Sequence, residues 1–420
     1  MSRLSGSRRD ALDVLRDWRR AARGSDDAPS RTAAAFWLYA GHLVALGFIA
    51  LSNSLLGLTA LLAPWHWSRH RLRTARPLLL AIGAYLLLLG ASIAASHDPR
   101  TSLRAGSDLF NFLVPVLALV LVRRAAQARL LIQALILLGS LVALQALFQF
   151  ALGANHIGQR PAGPFSHYMT LGGFLVLVDC FLFAWMAFRD GWRRWWAWAS
   201  FVVIQAALLV SYTRNAWIAL AVLLTLVALI RAPRLLLAWA PVLLVLTLLA
   251  PSPLLVRFGS IFDLGDESNY DRLCMGYAGF HMIRDRPLFG QGPRMVRERY
   301  EIYQHPTTPR KWVPHLHNSF LNLAAERGLT SLAAFLVLLA LPTRRALGLL
   351  RRQSDRTGGD ADILFATLLV VLATVITGMF EDYWTDTEIQ RMVLFSLALP
   401  YCLPPRNATL AADGRSHSTS

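Results

Sequence analysis

The chain has 420 residues, 55% of them hydrophobic and 16% charged, with 42 basic against 25 acidic residues and a formal charge of +17. That composition excludes an ordinary soluble domain, which carries more charge and breaks its apolar residues into short amphipathic stretches. Disordered and collagen-like chains are excluded too, because Leu, Ala and Val dominate and glycine shows no three-residue period. What is left is an all-α polytopic membrane protein.

Residues 1–31 form a polar, arginine-rich tail without an apolar core or a small-residue cleavage site, so insertion is expected to start at the first span. Apolar runs long enough for membrane helices fall near 32–51, 53–67, 77–96, 106–122, 129–152, 168–188, 195–212, 214–230 and 235–251, then near 318–342, 362–380 and 386–403, about twelve in all. Between the two sets, residues 252–317 make one long connection with no span in it. A connection of that length without function is improbable. It holds an amphipathic piece from Tyr270 to Arg284 and a turn at Arg286-Pro287 followed by Gly290-Gln291-Gly292-Pro293, and it reads as an ordered extracytoplasmic cap. The expected organisation is a cytoplasmic tail at 1–31, spans at 32–251, the large loop at 252–317, spans at 318–403 and a second cytoplasmic tail at 404–420. Cys180, Cys274 and Cys402 are too scattered for a disulfide framework or a metal site and read as small buried hydrophobes.

All but one of the basic residues are arginine, the exception being Lys311. Most of them stand in the tails and in every second connection, where the positive-inside rule explains them and places both termini in the cytoplasm. The charge therefore calls for a membrane explanation. A nucleic-acid partner is not expected, since it would need arginines and aromatic platforms gathered on one soluble face.

A few arginines stand on the opposite side. Arg214 lies in the hairpin Ser211-Tyr212-Thr213-Arg214-Asn215-Ala216-Trp217, where a charge costs a few kcal/mol unless it is paired. It is either a snorkelling or carbonyl-bound arginine or part of an anion site, because a planar guanidinium presents two N–H donors to phosphate oxygens at once. Arg160 precedes the rigid turn Pro161-Ala162-Gly163-Pro164. Arg272 opens the amphipathic stretch of the large loop. If they converge, they make a basic pocket for phosphate-bearing lipids or lipid-linked sugars.

Pro314-His315-Leu316-His317-Asn318 joins the large loop to the next span. No Asp, Glu or Cys stands at ligand spacing beside the two histidines, so no metal is expected. With Asn318 as N-cap, Asn318, Asn322 and Glu326 share one helix face, and a polar stripe entering the membrane should line a cavity. A neutral imidazole at that boundary can take a proton from a hydroxyl. Spacing alone does not choose between His315 and His317. Asp108 and Asp179 are buried acids that either pair with an outward arginine, the favoured reading, or carry protons, while Glu381, Asp382, Asp386 and Glu388 either balance the basic pocket or are solvated. His281 and His305 read as surface residues.

Together these segments resemble the O-antigen ligase and polymerase superfamily of membrane glycosyltransferases. The resemblance runs from about Arg160 to Gly328 and rests on Arg160-Pro-Ala-Gly-Pro-Phe, on Thr213-Arg214-Asn215-Ala216-Trp217, on Arg272 with Arg286-Pro287-Leu288-Phe289-Gly290-Gln291-Gly292, and on His317-Asn318 with Glu326-Arg327-Gly328-Leu329. The sequence departs from the common pattern in Thr213 and Asn215, where Ser and Gly are frequent, and in Gly276, where Trp is frequent. The resemblance implies a GT-C-like fold and metal-independent, inverting transfer of a glycan from undecaprenyl diphosphate, without a cofactor, at the periplasmic face of the bacterial inner membrane. It implies Arg214 and Arg272, with Arg160, as diphosphate-binding residues and His317 as the catalytic histidine, supported by Asn318, His315 and Glu326. The partners it implies are undecaprenyl-diphosphate-linked O-antigen, the lipid A core oligosaccharide and membrane lipids.

Within the superfamily, a single large loop and a short stretch after Leu403 favour an O-antigen ligase over a polymerase or a protein O-oligosaccharyltransferase. The alternative from another class is a twelve-span secondary transporter. It predicts functional charges near the bilayer midplane, where Asp179 is the main candidate.

Overall fold

The computed structural model describes residues 30–65, 69–156, 158–189, 193–231, 259–260, 263, 265–353 and 359–403. The expected span at 235–251 and nearly all of both tails lie outside the described residues. Among the described residues every regular element is helical. In chain order these are α1 (Ser30–Val44), α2 (Ile49–Leu62), α3 (Arg69–Ala94), α4 (Pro99–Leu103), a single 3-10 turn, α5 (Asp108–Asn111), α6 (Leu113–Leu121) and α7 (Ala125–Ala151). There follow α8 (Tyr168–Phe188), α9 (Trp195–Val210), α10 (Arg214–Arg231), α11 (Glu267–Asp285), α12 (Met295–Tyr303), α13 (Ser319–Arg351), α14 (Ala361–Gly378) and α15 (Thr387–Cys402).

Among the described residues 7 helical segments are long and apolar enough to cross a membrane: α3, the run Pro99–Leu121, α7, α8, α10, α13 and α14. Leu, Ala, Val and Ile on all faces suit such helices, since lipid and protein surroundings are equally apolar. α8 and α15 form the centre of the bundle, and every residue of α15 after Thr387 is buried. Leu80 and Leu87 of α3 and Leu137 and Leu141 of α7 point outward.

Hydropathy misplaced the first helices. The expected span 32–51 breaks at residues 45–48, where Gly47 packs so closely on Pro164 that an added Cβ would lie 2.9 Å from its Cγ. α1 and α2 therefore form a hairpin with a buried hydrogen bond between Ser52 Oγ and His42 Nδ1 at 2.8 Å. α3 starts at Arg69, so its arginines ride on the first helical turns with Pro77 inside the helix.

The large loop carries its own small core: Met275, Ala278 and Met282 of α11 pack with Val296, Tyr300, Val313 and Leu316 onto Ala325 of α13. Asp266 caps α11 by accepting from the Asn269 amide at 3.2 Å. The loop is clipped to α13 at a break in that helix. Gly328 has φ 82° and ψ 165°, a conformation open to glycine and strained for other residues. The carbonyls of Ala325 and Glu326, freed by the break, accept from the amides of Gln291 (2.9 Å) and Gly292 (2.8 Å), and the Leu329 amide donates to the Pro287 carbonyl at 2.8 Å. A Cβ on Gly290 would lie 2.4 Å from the Glu326 carbonyl, and one on Gly328 2.0 Å from that of Leu288. Two motifs far apart in sequence, Pro287 to Gly292 and Glu326 to Leu329, are thus two halves of one joint.

Candidate functional site

The joint sets the first segment of α13 across the end of the bundle, and the histidine segment just before it faces the connection between α14 and α15. Asn318 caps α13 as expected, its Oδ1 accepting from the amides of Phe320 (3.0 Å) and Leu321 (2.9 Å). His317 is held at φ 49°, a left-handed conformation costly outside glycine and asparagine, which turns its side chain away from the helix line. Its Nδ1 lies 2.7 Å from Glu381 Oε2. A carboxylate only accepts, so Nδ1 carries the proton, and in the neutral ring Nε2 is the acceptor. His315 differs. Its Nδ1 accepts from the His317 amide at 3.3 Å, and its Nε2 lies 3.4 Å from Glu381 Oε1, so both its nitrogens are engaged.

Burial raises the Glu381 carboxyl, but the His317 hydrogen bond and the charges of His317, His315 and Arg272 outweigh it and hold the group below its ordinary value. The donor atoms of His315, His317 and Glu381 lie within 4.8 Å of one another. Sequence spacing had offered no acid beside these histidines, and the chain supplies one from the loop after α14. The hydrogen bonds just described account for the three groups as they stand.

A cavity of about 230 Å³ opens beside His317. Arg160 walls it from the connection before α8, His167 and Tyr168 from the start of that helix, Ser268, Asp271 and Arg272 from α11, and Arg310 from the segment leading to the histidines. Arg160 stacks on Tyr168, its guanidinium carbon 4.1 Å from the ring centroid. Arg272 is held loosely: Nη1 donates to Ser268 Oγ at 3.3 Å, and Nε is buried with no hydrogen-bond partner among the described residues. Burial lowers its pKa, opposed by Glu381 and reinforced by Arg214, yet a guanidinium stays charged in any such setting. Burial likewise lowers the His167 pKa, so this imidazole is neutral near pH 7.

Arg214 stands one layer behind. Nη1 donates to the Ser260 carbonyl (2.7 Å) and hydroxyl (2.9 Å), and Nη2 to Asn269 (3.0 Å) and Asp266 (3.1 Å). The charge is thus paired, and through Asp266 and Asn269 it ties α10 to the start of α11. The convergence expected of Arg160, Arg214 and Arg272 is found for Arg160 and Arg272 in one cavity wall, with Arg214 beside them and committed to α11.

The polar stripe on α13 does not line an open cavity. Asn322 accepts from the Leu316 amide at 3.2 Å and donates to Asp382 at 2.8 Å, and Glu326 accepts from the Val296 amide at 3.3 Å. These side chains fasten the loop, because every buried polar group there finds a loop partner. Asp108 pairs as expected, with Arg327 at 2.8 Å. Asp179 reaches no arginine among the described residues and accepts from Gln205 at 3.0 Å. The acidic loop is buried and used: Glu381 holds the histidines, and Asp386 accepts from Thr170 at 2.8 Å. His167, Asp271 and Arg310 were missed in the sequence, where nothing marks them apart from other loop residues. Glu381 had a signal in the acidic run, without a partner to point to.

Fold and site define a helical polytopic membrane protein with a basic, histidine-containing cavity where a loop domain meets the bundle. Residues 199–336, which carry Arg214, Arg272 and His317, match the O-antigen ligase family model. Members of this family are glycosyltransferase-like enzymes. No curated protein matches the chain.

Proposed function

We propose that the protein is an O-antigen ligase of the bacterial inner membrane. In this reading it has about twelve spans, cytoplasmic termini and a GT-C-like plan, with 252–317 as a periplasmic domain. It moves O-polysaccharide from undecaprenyl diphosphate to a sugar hydroxyl of the lipid A core. The observation that carries the proposal is His317, fixed by Glu381 through Nδ1 so that Nε2 is the proton acceptor, at a cavity walled by Arg160, Arg272 and Arg310.

A glycosyl diphosphate is already a good leaving group, so the enzyme has two tasks. Arg272, with Arg160, stabilises the charge that develops on the departing diphosphate, its unspent donors meeting phosphate oxygens. Arg214 contributes through its charge and by holding α11 in place. His317 takes the proton of the attacking hydroxyl as the new glycosidic bond forms and the bond to the diphosphate breaks, and Glu381 stabilises the imidazolium that results. Attack opposite the leaving group inverts the anomeric centre. Asn318 sets the start of α13 and hence the position of His317. His315 and Glu326 support it from behind.

The test is purified protein in proteoliposomes with carrier-linked glycan and rough lipopolysaccharide. Glycan-capped lipopolysaccharide is expected from the wild type and is lost in His317→Ala and Arg272→Ala. A chain that lengthens the carrier-linked glycan without capping the core would be a polymerase, and substrate flux without transfer would be a transporter. In cells, gene deletion should abolish the long-chain ladder, leave the core intact and let carrier-linked polymer accumulate.

A further inference from the structure

The cavity wall contains an acid that neither the histidine pair nor the arginine wall explains. Asp271 is buried, 3% exposed, and lies on α11 next to Arg272. Its Oδ2 is 3.0 Å from Arg310 Nε; burial raises its pKa, and the charges of Arg310, His317 and Arg272 oppose that rise. Its Oδ1 is buried with no hydrogen-bond partner among the described residues. An orphaned carboxylate oxygen is unfavourable in a folded chain, and a site built only to hold a diphosphate is weakened by a negative charge in its wall. Both costs disappear if the ligand brings a donor. A hydroxyl does so, because a carboxylate accepts strong hydrogen bonds from neutral O–H groups.

The placement is specific. Asp271 shares the cavity with His317, and the two interact through their charges. Arg310, itself 54% exposed, engages Oδ2, so Oδ1 is the oxygen that lacks a partner among the described residues. We propose that Asp271 is an acceptor-binding residue that hydrogen-bonds a second hydroxyl of the acceptor sugar, beside the hydroxyl that His317 deprotonates, with Arg310 as its positioning residue. The cavity then has two sides: Arg160 and Arg272 read the anionic donor, and Asp271 reads the polyhydroxylated acceptor.

This inference rests on the ligase reading, and the experiment separates the two. Wild type, Asp271→Asn and Arg310→Gln are reconstituted at full length and assayed with carrier-linked glycan and rough lipopolysaccharide, each varied in turn. Asp271→Asn is expected to raise the KM for lipopolysaccharide about tenfold or more, the size expected when a hydrogen bond to a charged group is lost. The KM for the donor should stay level or fall, since a negative charge has left the arginine wall. Arg310→Gln should raise the acceptor KM by a smaller factor, without a matching rise for the donor. An unchanged acceptor KM, or equal rises for both substrates, overturns the assignment even where the wild type transfers normally. If Asp271→Asn does not fold, Arg310→Gln decides alone, and no acceptor-selective rise counts against the proposal. A wild type that transfers nothing overturns the ligase reading and this inference with it.

Discussion

Arg327, buried, and Arg272, half-buried, stand near the same end of the bundle, and their hydrogen bonding differs. Arg327 sits at the joint of loop and α13 and is fully employed, donating to Tyr85 Oη and to Asp108 Oδ2, each at 2.8 Å. Tyr85 Oη also accepts from Trp384 Nε1 at 2.7 Å, which extends the network to the connection between α14 and α15. Arg272 has a long contact with Ser268 and a buried Nε without a partner among the described residues. Polar groups that satisfy one another hold a fold together. Polar groups left unmet beside a cavity are where a ligand completes the set.

The comparison breaks most visibly at His317, where His317→Ala should lower transfer by about a hundredfold to ten-thousandfold, the range of general-base contributions. The measurement is kcat in proteoliposomes at saturating donor and acceptor, and a loss below tenfold would contradict the assignment. Arg327→Met, at the other pole, should act on stability. Removing one partner of a buried pair costs about 3–5 kcal/mol, visible as a lower unfolding midpoint in detergent, and activity should fall only with the folded fraction.

Arg272→Lys tests whether geometry or charge matters in the cavity. A point charge cannot reproduce a bidentate fork, so donor KM should rise about tenfold with the unfolding midpoint unchanged. Gly290→Ala sharpens the comparison from the joint, where φ is +69° and the Glu326 carbonyl blocks a Cβ. Strain of this kind costs about 1–3 kcal/mol, so the midpoint should drop, and partial proteolysis should show the loop opening first.

The smallest effect is one of pH. The Glu381 carboxyl is held below its ordinary value of 4.5, so its contribution to stability is complete above that value and is lost as the pH falls through the lower value of the folded protein. The unfolding midpoint should therefore decline on acidification below about 4.5, and Glu381→Gln should flatten that decline.

Most helices were legible in the sequence because an apolar run long enough to cross a membrane has little choice but helix. α8 begins and ends where hydropathy put it. α1 and α2 do not, because the break at 45–48 is set by the approach of Gly47 to Pro164, a contact more than a hundred residues distant in sequence. The N-cap role of Asn318 was legible, being a local hydrogen bond. The polar stripe of Asn322 and Glu326 was visible, but its partners were not, since they come from other segments.

The sequence by itself determined the class of molecule, its helices and the arginines and histidines worth testing, because hydropathy, charge and capping act over a few residues. Tertiary structure alone decided which of these groups meet. It brought Glu381 to both histidines, at 2.7 Å from His317 and 3.4 Å from His315, and committed Arg214 to Asp266 and Asn269 while leaving Arg272 in the cavity wall. Asp271 and Arg310 were joined across α11 in the same way. The reason is physical: whether a charged group binds a neighbour or is left for a ligand depends on what the fold places within hydrogen-bond reach, and sequence spacing does not carry that distance.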